Sequence, residues 1–143
     1  MELRDAEVGD APAVAVLLDQ LGYARTAEAL SRHIATAHER HDAAWVAVTS
    51  LGGAERIIGF AAAHRSWPFE LDAPVAELTA LVVGDEQRRL GCGRALVDGF
   101  EAWAASHACA RVSVATSFHR REAHQFYEAL GYVQRARKYE KNV

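Results

Sequence analysis

The sequence predicts one α/β domain spanning residues 1–143, with a mixed, twisted and mostly antiparallel sheet that carries helices on both faces. Two observations lead there. Apolar periodicity along the chain gives the order β-α-α-β-β-β-α-β-α-β, and three consecutive strands with no helix between them pair antiparallel. A strand-helix-strand unit from Val75 to Thr116 then requires one parallel pair, because parallel neighbours need a crossover connection.

Each element has its own signal. Glu2 to Arg4 is a short strand. Asp10 stands as an N-cap with Pro12 in the first helical turn, where a missing N–H costs little. Val14, Leu17, Leu18 and Leu21 follow at helical spacing until Gly22 ends the helix. A second helix begins after Thr26 and aligns Leu30, Ile34 and Ala37 on one face. Ala43 to Thr49 and Ile57 to His64 read as strands joined at a Leu51-Gly52-Gly53-Ala54 turn, Arg65 to Ala73 as a loop, and Val75 to Val83 as a long strand. Leu96, Phe100, Trp103 and His107 mark the next helix. Ala110 to Thr116 is a strand, Arg120 to Leu130 a helix closed by Gly131, and Tyr132 to Lys141 supplies the last strand or two.

Composition narrows the function classes. Half of the 143 residues are hydrophobic and 24% are charged, as in ordinary globular domains. A net charge of −3 gives no general attraction for nucleic acid. Apolar runs fall far short of the roughly 20 residues of a membrane helix. Met1-Glu2-Leu3-Arg4-Asp5 reads into a strand rather than a leader. Cys92 and Cys109 form neither a disulfide framework nor a metal-type pair, so a reducing cytoplasm is expected.

The most informative stretch is Val82-Val83-Gly84-Asp85-Glu86-Gln87-Arg88-Arg89-Leu90-Gly91-Cys92-Gly93-Arg94. A strand ends, a turn carries three arginines and two closely spaced glycines, and a long amphipathic helix starts. Backbone N–H groups at such a start are unsatisfied, the helix dipole favours an anion, and glycines let a phosphate come close. The third glycine of a dinucleotide fingerprint would fall on Leu96, and no Walker-type Gly-Lys-Ser/Thr is present.

Arg88-x-x-Gly91-x-Gly93 resembles the Q/R-x-x-G-x-G/A turn of the GNAT superfamily of acyl-CoA N-acyltransferases. Asp10 to Leu21 is similar to that family's first helix, and Leu21-Gly22-Tyr23 to its continuation. Ala123-His124-Gln125-Phe126-Tyr127-Glu128-Ala129-Leu130-Gly131-Tyr132 resembles its closing A-x-x-F-Y-E-x-x-G-F/Y segment. The Arg120-Arg121-Glu122-Ala123-His124 variant also looks like aminoalkylphosphonate- and aminoglycoside-type members. The resemblance covers nearly the whole chain and implies the GNAT fold, with acetyl-CoA as cosubstrate and a small-molecule amine as acceptor. It implies cofactor contacts from Leu81, Val82, Val83, Arg88, Arg89, Leu90, Gly91, Cys92, Gly93, Arg94, Ser117, Arg120 and Phe126. Many relatives carry Asn where Arg120 stands. Relatives often dimerise, which makes a homodimer an expectation.

Acyl transfer from a thioester to an amine needs a base for the ammonium proton, donors for the oxyanion, and an acid for the departing thiolate. The resemblance makes Tyr127 the acid; on residue pattern alone it is equally a core aromatic beside Phe126. Glu77, fourteen positions ahead of Gly91, is the base candidate at the spacing of histone-type members, with His64 or a water chain as alternatives. Glu77, Thr79 and Leu81 are expected on one strand face and Leu78, Ala80 and Val82 on the other. The resemblance places the oxyanion donor on the backbone of Leu81, Val82 or Val83, beside a strand bulge. Cys92 reads as a small packing residue. His33, His38 and His41 occupy one predicted helix but spread over about 140°, so they cannot share a metal. Trp67, Phe69, Glu70 and Asp72 in the loop suit a cationic amine with an apolar part. Two other classes compete: a CoA-binding module without turnover, and a nucleotide-binding domain disfavoured by the glycine spacing.

Overall fold

A computed structural model describes residues 1–85, 91–116 and 120–143. Five strands, β1 (Glu2–Asp5), β2 (Asp42–Leu51), β3 (Ala54–Ser66), β4 (Val75–Val83) and β5 (Val112–Val114), lie side by side in chain order. The β2–β3 and β3–β4 pairings are antiparallel and β4–β5 is parallel, as the sequence predicts, and β1 adds to β2 antiparallel. Helices α1 (Ala11–Gln20) and α2 (Ala27–Thr36) precede β2, α3 (Cys92–Ser106) makes the crossover to β5, and α4 (Arg121–Ala129) follows.

Strand alternation divides the core into two layers. On β2, Trp45 and Ala47 face α3, meeting Leu96, Val97, Phe100 and Ala104; Val46 and Val48 face α1 and α2, meeting Val14, Leu17, Leu18 and Leu30. Phe100 is fully buried, and truncating such a ring costs about 3–5 kcal/mol. α3 comes unusually near the sheet at Gly59, where a Cβ would lie 2.7 Å from the Cys92 sulfur. That contact makes Cys92 the packing residue its size suggests, and burial pushes its thiol pKa up.

The β2–β3 hairpin turns on Gly52 and Gly53, whose φ of 59° and 83° match the paired left-handed residues of a two-residue turn. Thr26 caps α2 by accepting from the Ala29 N–H at 3.1 Å. Asp10 occupies the N-cap position of α1, but its carboxylate does not cap that helix. It accepts instead from the Glu7 N–H at 2.7 Å and from the Arg4 guanidinium at 2.8 and 2.9 Å. Arg4 thereby holds the Asp10 carboxyl below the usual carboxylate range.

Other expectations change. The final strand or strands over Tyr132 to Lys141 do not form among the described residues; the segment is irregular and mostly exposed. Arg135, Arg137, Lys138, Glu140 and Lys141 give it no apolar face to bury, and β5 is only three residues long rather than the seven of 110–116. The helix expected to carry three histidines ends at Thr36; His38 lies in a separate turn and His41 is left-handed at φ 60°. Arg65 belongs to β3, with its guanidinium over the Trp67 and Trp103 rings at 5.5 and 5.6 Å. No helix among the described residues is long and apolar enough to cross a membrane.

Candidate active site

The site is organised by an irregularity in β4. Ala62 opposes Ala80 and Ala63 opposes Leu78, so Thr79 is an extra residue with no partner on β3. This bulge resets the alternation. Glu77, Thr79, Ala80 and Val82 lie on the α2 side, whereas Leu78, Leu81 and Val83 pack on the α3 side. The expected grouping of Glu77 with Leu81 is therefore wrong, because strict period-two alternation does not survive an inserted residue.

Beyond the bulge, β4 and β5 part. Their ladder holds only Ala76–Leu78 against Val112–Val114. From Thr79 to Val83 no strand among the described residues lies beside β4 on the β5 side. The open edge leads towards the start of α3. There Gly91 takes φ +81° as N-cap, and among the described residues no side chain caps the helix. The first N–H groups of a helix have no intrahelical acceptor, so those of Cys92, Gly93 and Arg94 remain to bind an anion. Nothing within 4 Å would meet a Cβ at Gly91, which leaves open approach. A Cβ at Gly93 would meet Phe126 Cζ at 3.3 Å and Val83 Cγ2 at 3.7 Å, so α3, α4 and β4 converge here. An unpaired strand edge followed by an uncapped helix start fits a ligand with an amide-bearing arm and a pyrophosphate.

The remaining expected contacts divide. Arg88, Arg89, Leu90 and Ser117 lie outside the described residues. Arg94 is exposed on the first turn of α3. Arg120 precedes α4 and donates to the Leu21 carbonyl at 3.5 Å, a long bond that reaches back to the end of α1. Tyr127 is buried in the α3-side core, its ring edge-on to Phe126 at 5.1 Å and Tyr132 at 5.7 Å. Burial pushes its hydroxyl up to about 12. Tyr132 donates to Glu101 at 3.0 Å, and burial together with that carboxylate raises its pKa as well.

Glu77 opens onto a cavity of about 290 Å³ beneath α2. Leu30, Ile34 and Phe60 form an apolar wall, and His33, Asp42, His64 and Glu77 gather at its polar end. Asp42, His64 and Glu77 stand in register across β2, β3 and β4. His64 Nδ1 lies 2.6 Å from one Asp42 oxygen and His33 Nε2 3.1 Å from the other. Sequence reasoning missed Asp42 and gave His33 no role beyond excluding a metal shared with His38 and His41. A two-residue Gly-Gly turn with unbroken pairing would set Asp42 opposite Ala63; a bulge at Ile58 moves it opposite His64. Among the described residues no group of three or more His, Cys, Asp or Glu side chains is arranged to hold a metal ion.

Trp67 in the β3–β4 connection is half exposed, its ring meeting His41 at 4.7 Å, and Phe69 is fully exposed. Neither lines the cavity.

Comparison with known proteins agrees with this geometry. A Trypanosoma brucei acetyltransferase superposes with a TM-score of 0.85 at 24% identity, covering 99% of each chain. Arabidopsis thaliana glucosamine-6-phosphate N-acetyltransferase superposes at 0.84 with 19% identity, over 99% of this chain and 97% of that one. Ribosomal-protein-alanine N-acetyltransferase of Brucella melitensis superposes at 0.80 with 16% identity over the full length of both. At these identities the likeness shows the fold alone. No curated protein sequence matches the chain. The model of the acetyltransferase (GNAT) family matches residues 12–132, and with that span, the bulged and splayed β4 and the uncapped start of α3, the chain belongs to that family.

Proposed function

We propose that the protein transfers an acetyl group from acetyl-CoA to the primary amine of a small acceptor by direct attack in a ternary complex. The observation that carries the reading is the two-sided opening along β4. On one side, among the described residues, lie an unpaired edge from Thr79 to Val83 and the uncapped start of α3; on the other, Glu77 faces a cavity with an apolar wall.

In this reading the backbone of Leu81 to Val83 pairs with the cosubstrate arm as an added strand would, and supplies a donor to the carbonyl oxygen. The N–H groups from Arg89 to Arg94 receive the pyrophosphate, and the family resemblance adds Arg88, Ser117, Arg120 and Phe126 as cofactor contacts. Glu77 accepts the ammonium proton directly or through one water. Tyr127 donates to the leaving sulfur. The apolar wall and acidic end of the cavity suit a cationic amine with an apolar portion. The same reading makes the protein cytoplasmic, without a nucleic acid or membrane partner, and a homodimer.

The test is an amine-library screen following release of free CoA, preceded by thermal-shift comparison of acetyl-CoA, NAD and ATP. Stabilisation by acetyl-CoA alone and CoA release with primary amines are the expected results. Acetyl-CoA binding without release for any amine would leave a CoA-binding module. Preference for NAD or ATP would leave a nucleotide-binding domain.

A further inference from the structure

Each turnover of the proposed transfer sheds one net proton. The acceptor enters as R–NH3⁺ and leaves as an amide R–NH–CO–CH3, giving up two protons; the CoA sulfur takes one and the other must reach solvent. Glu77 is half-buried, so a carboxyl that has taken this proton needs a route outward before it can act again.

The polar end of the cavity gathers the titratable groups from which such a route is built. Asp42, His64 and Glu77 are register neighbours across three strands and line the same cavity. A carboxylate only accepts hydrogen bonds, so at 2.6 Å from Asp42 Oδ1 the Nδ1 of His64 carries the hydrogen. In the neutral imidazole this leaves Nε2 with the lone pair. His33 Nε2 donates to the second Asp42 oxygen from α2, which fixes the carboxylate at both atoms. His64 and His33 are 45% and 44% exposed against 21% for Asp42, so the imidazoles reach from the cavity to solvent. The groups facing His64 are His33 from α2, Asp42 from β2, and Glu77 with Thr79 from β4. Arg65, next on its own strand, turns to the opposite face over Trp103.

We propose that Asp42 is a positioning residue for the reaction: it holds His64 in the Nδ1–H form, and His64 carries the acceptor's proton from Glu77 to solvent. The inference rests on the transferase reading given above. The ammonium proton passes to the Glu77 carboxylate, leaving a free amine. The amine nitrogen bonds to the acetyl carbon as the C–S bond breaks, and the second amine proton ends on the departing sulfur, giving the amide and free CoA thiol. Glu77 hands its proton to His64 Nε2, and the imidazolium, paired with Asp42, releases it to water.

Two measurements on the intact protein test this. Imidazole ¹⁵N shifts of the labelled protein report the His64 tautomer without any acceptor; Nδ1–H is expected, and an Nε2–H tautomer in the wild type overturns the proposal. Kinetics with 2-phenylethylamine and acetyl-CoA then compare Asp42→Asn, His64→Ala and Glu77→Gln, with thermal melts confirming folding. Asp42→Asn and His64→Ala should each lower kcat about tenfold at pH 7 and leave the KM for acetyl-CoA within about twofold. Added imidazole should restore His64→Ala and not Glu77→Gln. Unchanged kcat in His64→Ala overturns the relay while the transferase reading stands. A wild-type protein that acetylates no amine overturns both.

Discussion

Replacing Tyr127 by Phe keeps a buried ring and deletes one hydroxyl, which makes it a sharp probe of the leaving-group step. Burial raises that hydroxyl to about 12, against about 8.5 for an ordinary thiol. The gap of about 3.5 units, at 1.36 kcal/mol each, leaves complete proton transfer uphill by about 5 kcal/mol even to a free thiolate, and further uphill while the C–S bond is intact. Tyr127 therefore contributes as a hydrogen-bond donor to sulfur that is gaining charge. Such a bond to a charged group is worth about 1.5–3 kcal/mol, so kcat should fall about 10- to 160-fold. Acetyl-CoA affinity should change little. The assay is CoA-thiol release at saturating amine, with solvent viscosity varied to establish that product release does not limit turnover. Undiminished kcat in the folded variant would return Tyr127 to a packing role. The raised pKa also fixes a sign. The hydroxyl's share of stability is fully present below pH 10 and is lost as pH rises through about 12, so Tyr127→Phe should flatten that part of the alkaline unfolding profile.

Gly91→Asn places a side chain where phosphate approaches and tolerates the left-handed backbone at φ +81°, so acetyl-CoA affinity should fall more than about tenfold with little change in Tm. Equal affinity by calorimetry would remove the phosphate site from the start of α3. Glu77→Gln should lower kcat/KM at pH 7 and recover partly at higher pH, where more of the amine is already free. A pH–rate profile superimposing on the wild type rules Glu77 out as the base. Gly59→Ala pushes a methyl to 2.7 Å from the Cys92 sulfur and should destabilise by about 1–3 kcal/mol. Adding Cys92→Ala should return part of that loss in urea unfolding, and a purely additive double variant would show that the two positions do not meet.

Elements governed by local chemistry were readable in advance. The Gly52-Gly53 turn, the Thr26 cap and the apolar run of β4 each depend on neighbours in sequence, and each lies where its residues predict. The start of α3 was legible through the resemblance of Arg88-x-x-Gly91-x-Gly93 to the family's turn, since two closely spaced glycines after a strand also suit a plain turn. What escaped depends on strand pairing at a distance. An unopposed Ile58 brings Asp42 opposite His64, and an unopposed Thr79 separates Glu77 from Leu81, yet neither residue type announces a bulge. The C-terminal strand was misjudged for a related reason: extended-looking sequence becomes a strand only where another offers it hydrogen bonds. Asp10 shows competition rather than register, since the Arg4 guanidinium and the Glu7 amide claim the carboxylate that a helix cap would use.

The β4 edge from Thr79 to Val83, which no strand among the described residues covers, has a consequence for handling the protein. Unpaired N–H and C=O groups in a row are a template for extended segments of other chains, and proteins ordinarily cover or interrupt such edges. Here the proposed covering is the cosubstrate itself, so the ligand-free molecule is the form prone to self-association on concentration or storage. A ligand held at a hundred times its Kd stabilises the folded state by about 2.7 kcal/mol and removes the template at the same time. Light scattering during concentration should therefore fall with acetyl-CoA saturation and respond far less to added salt.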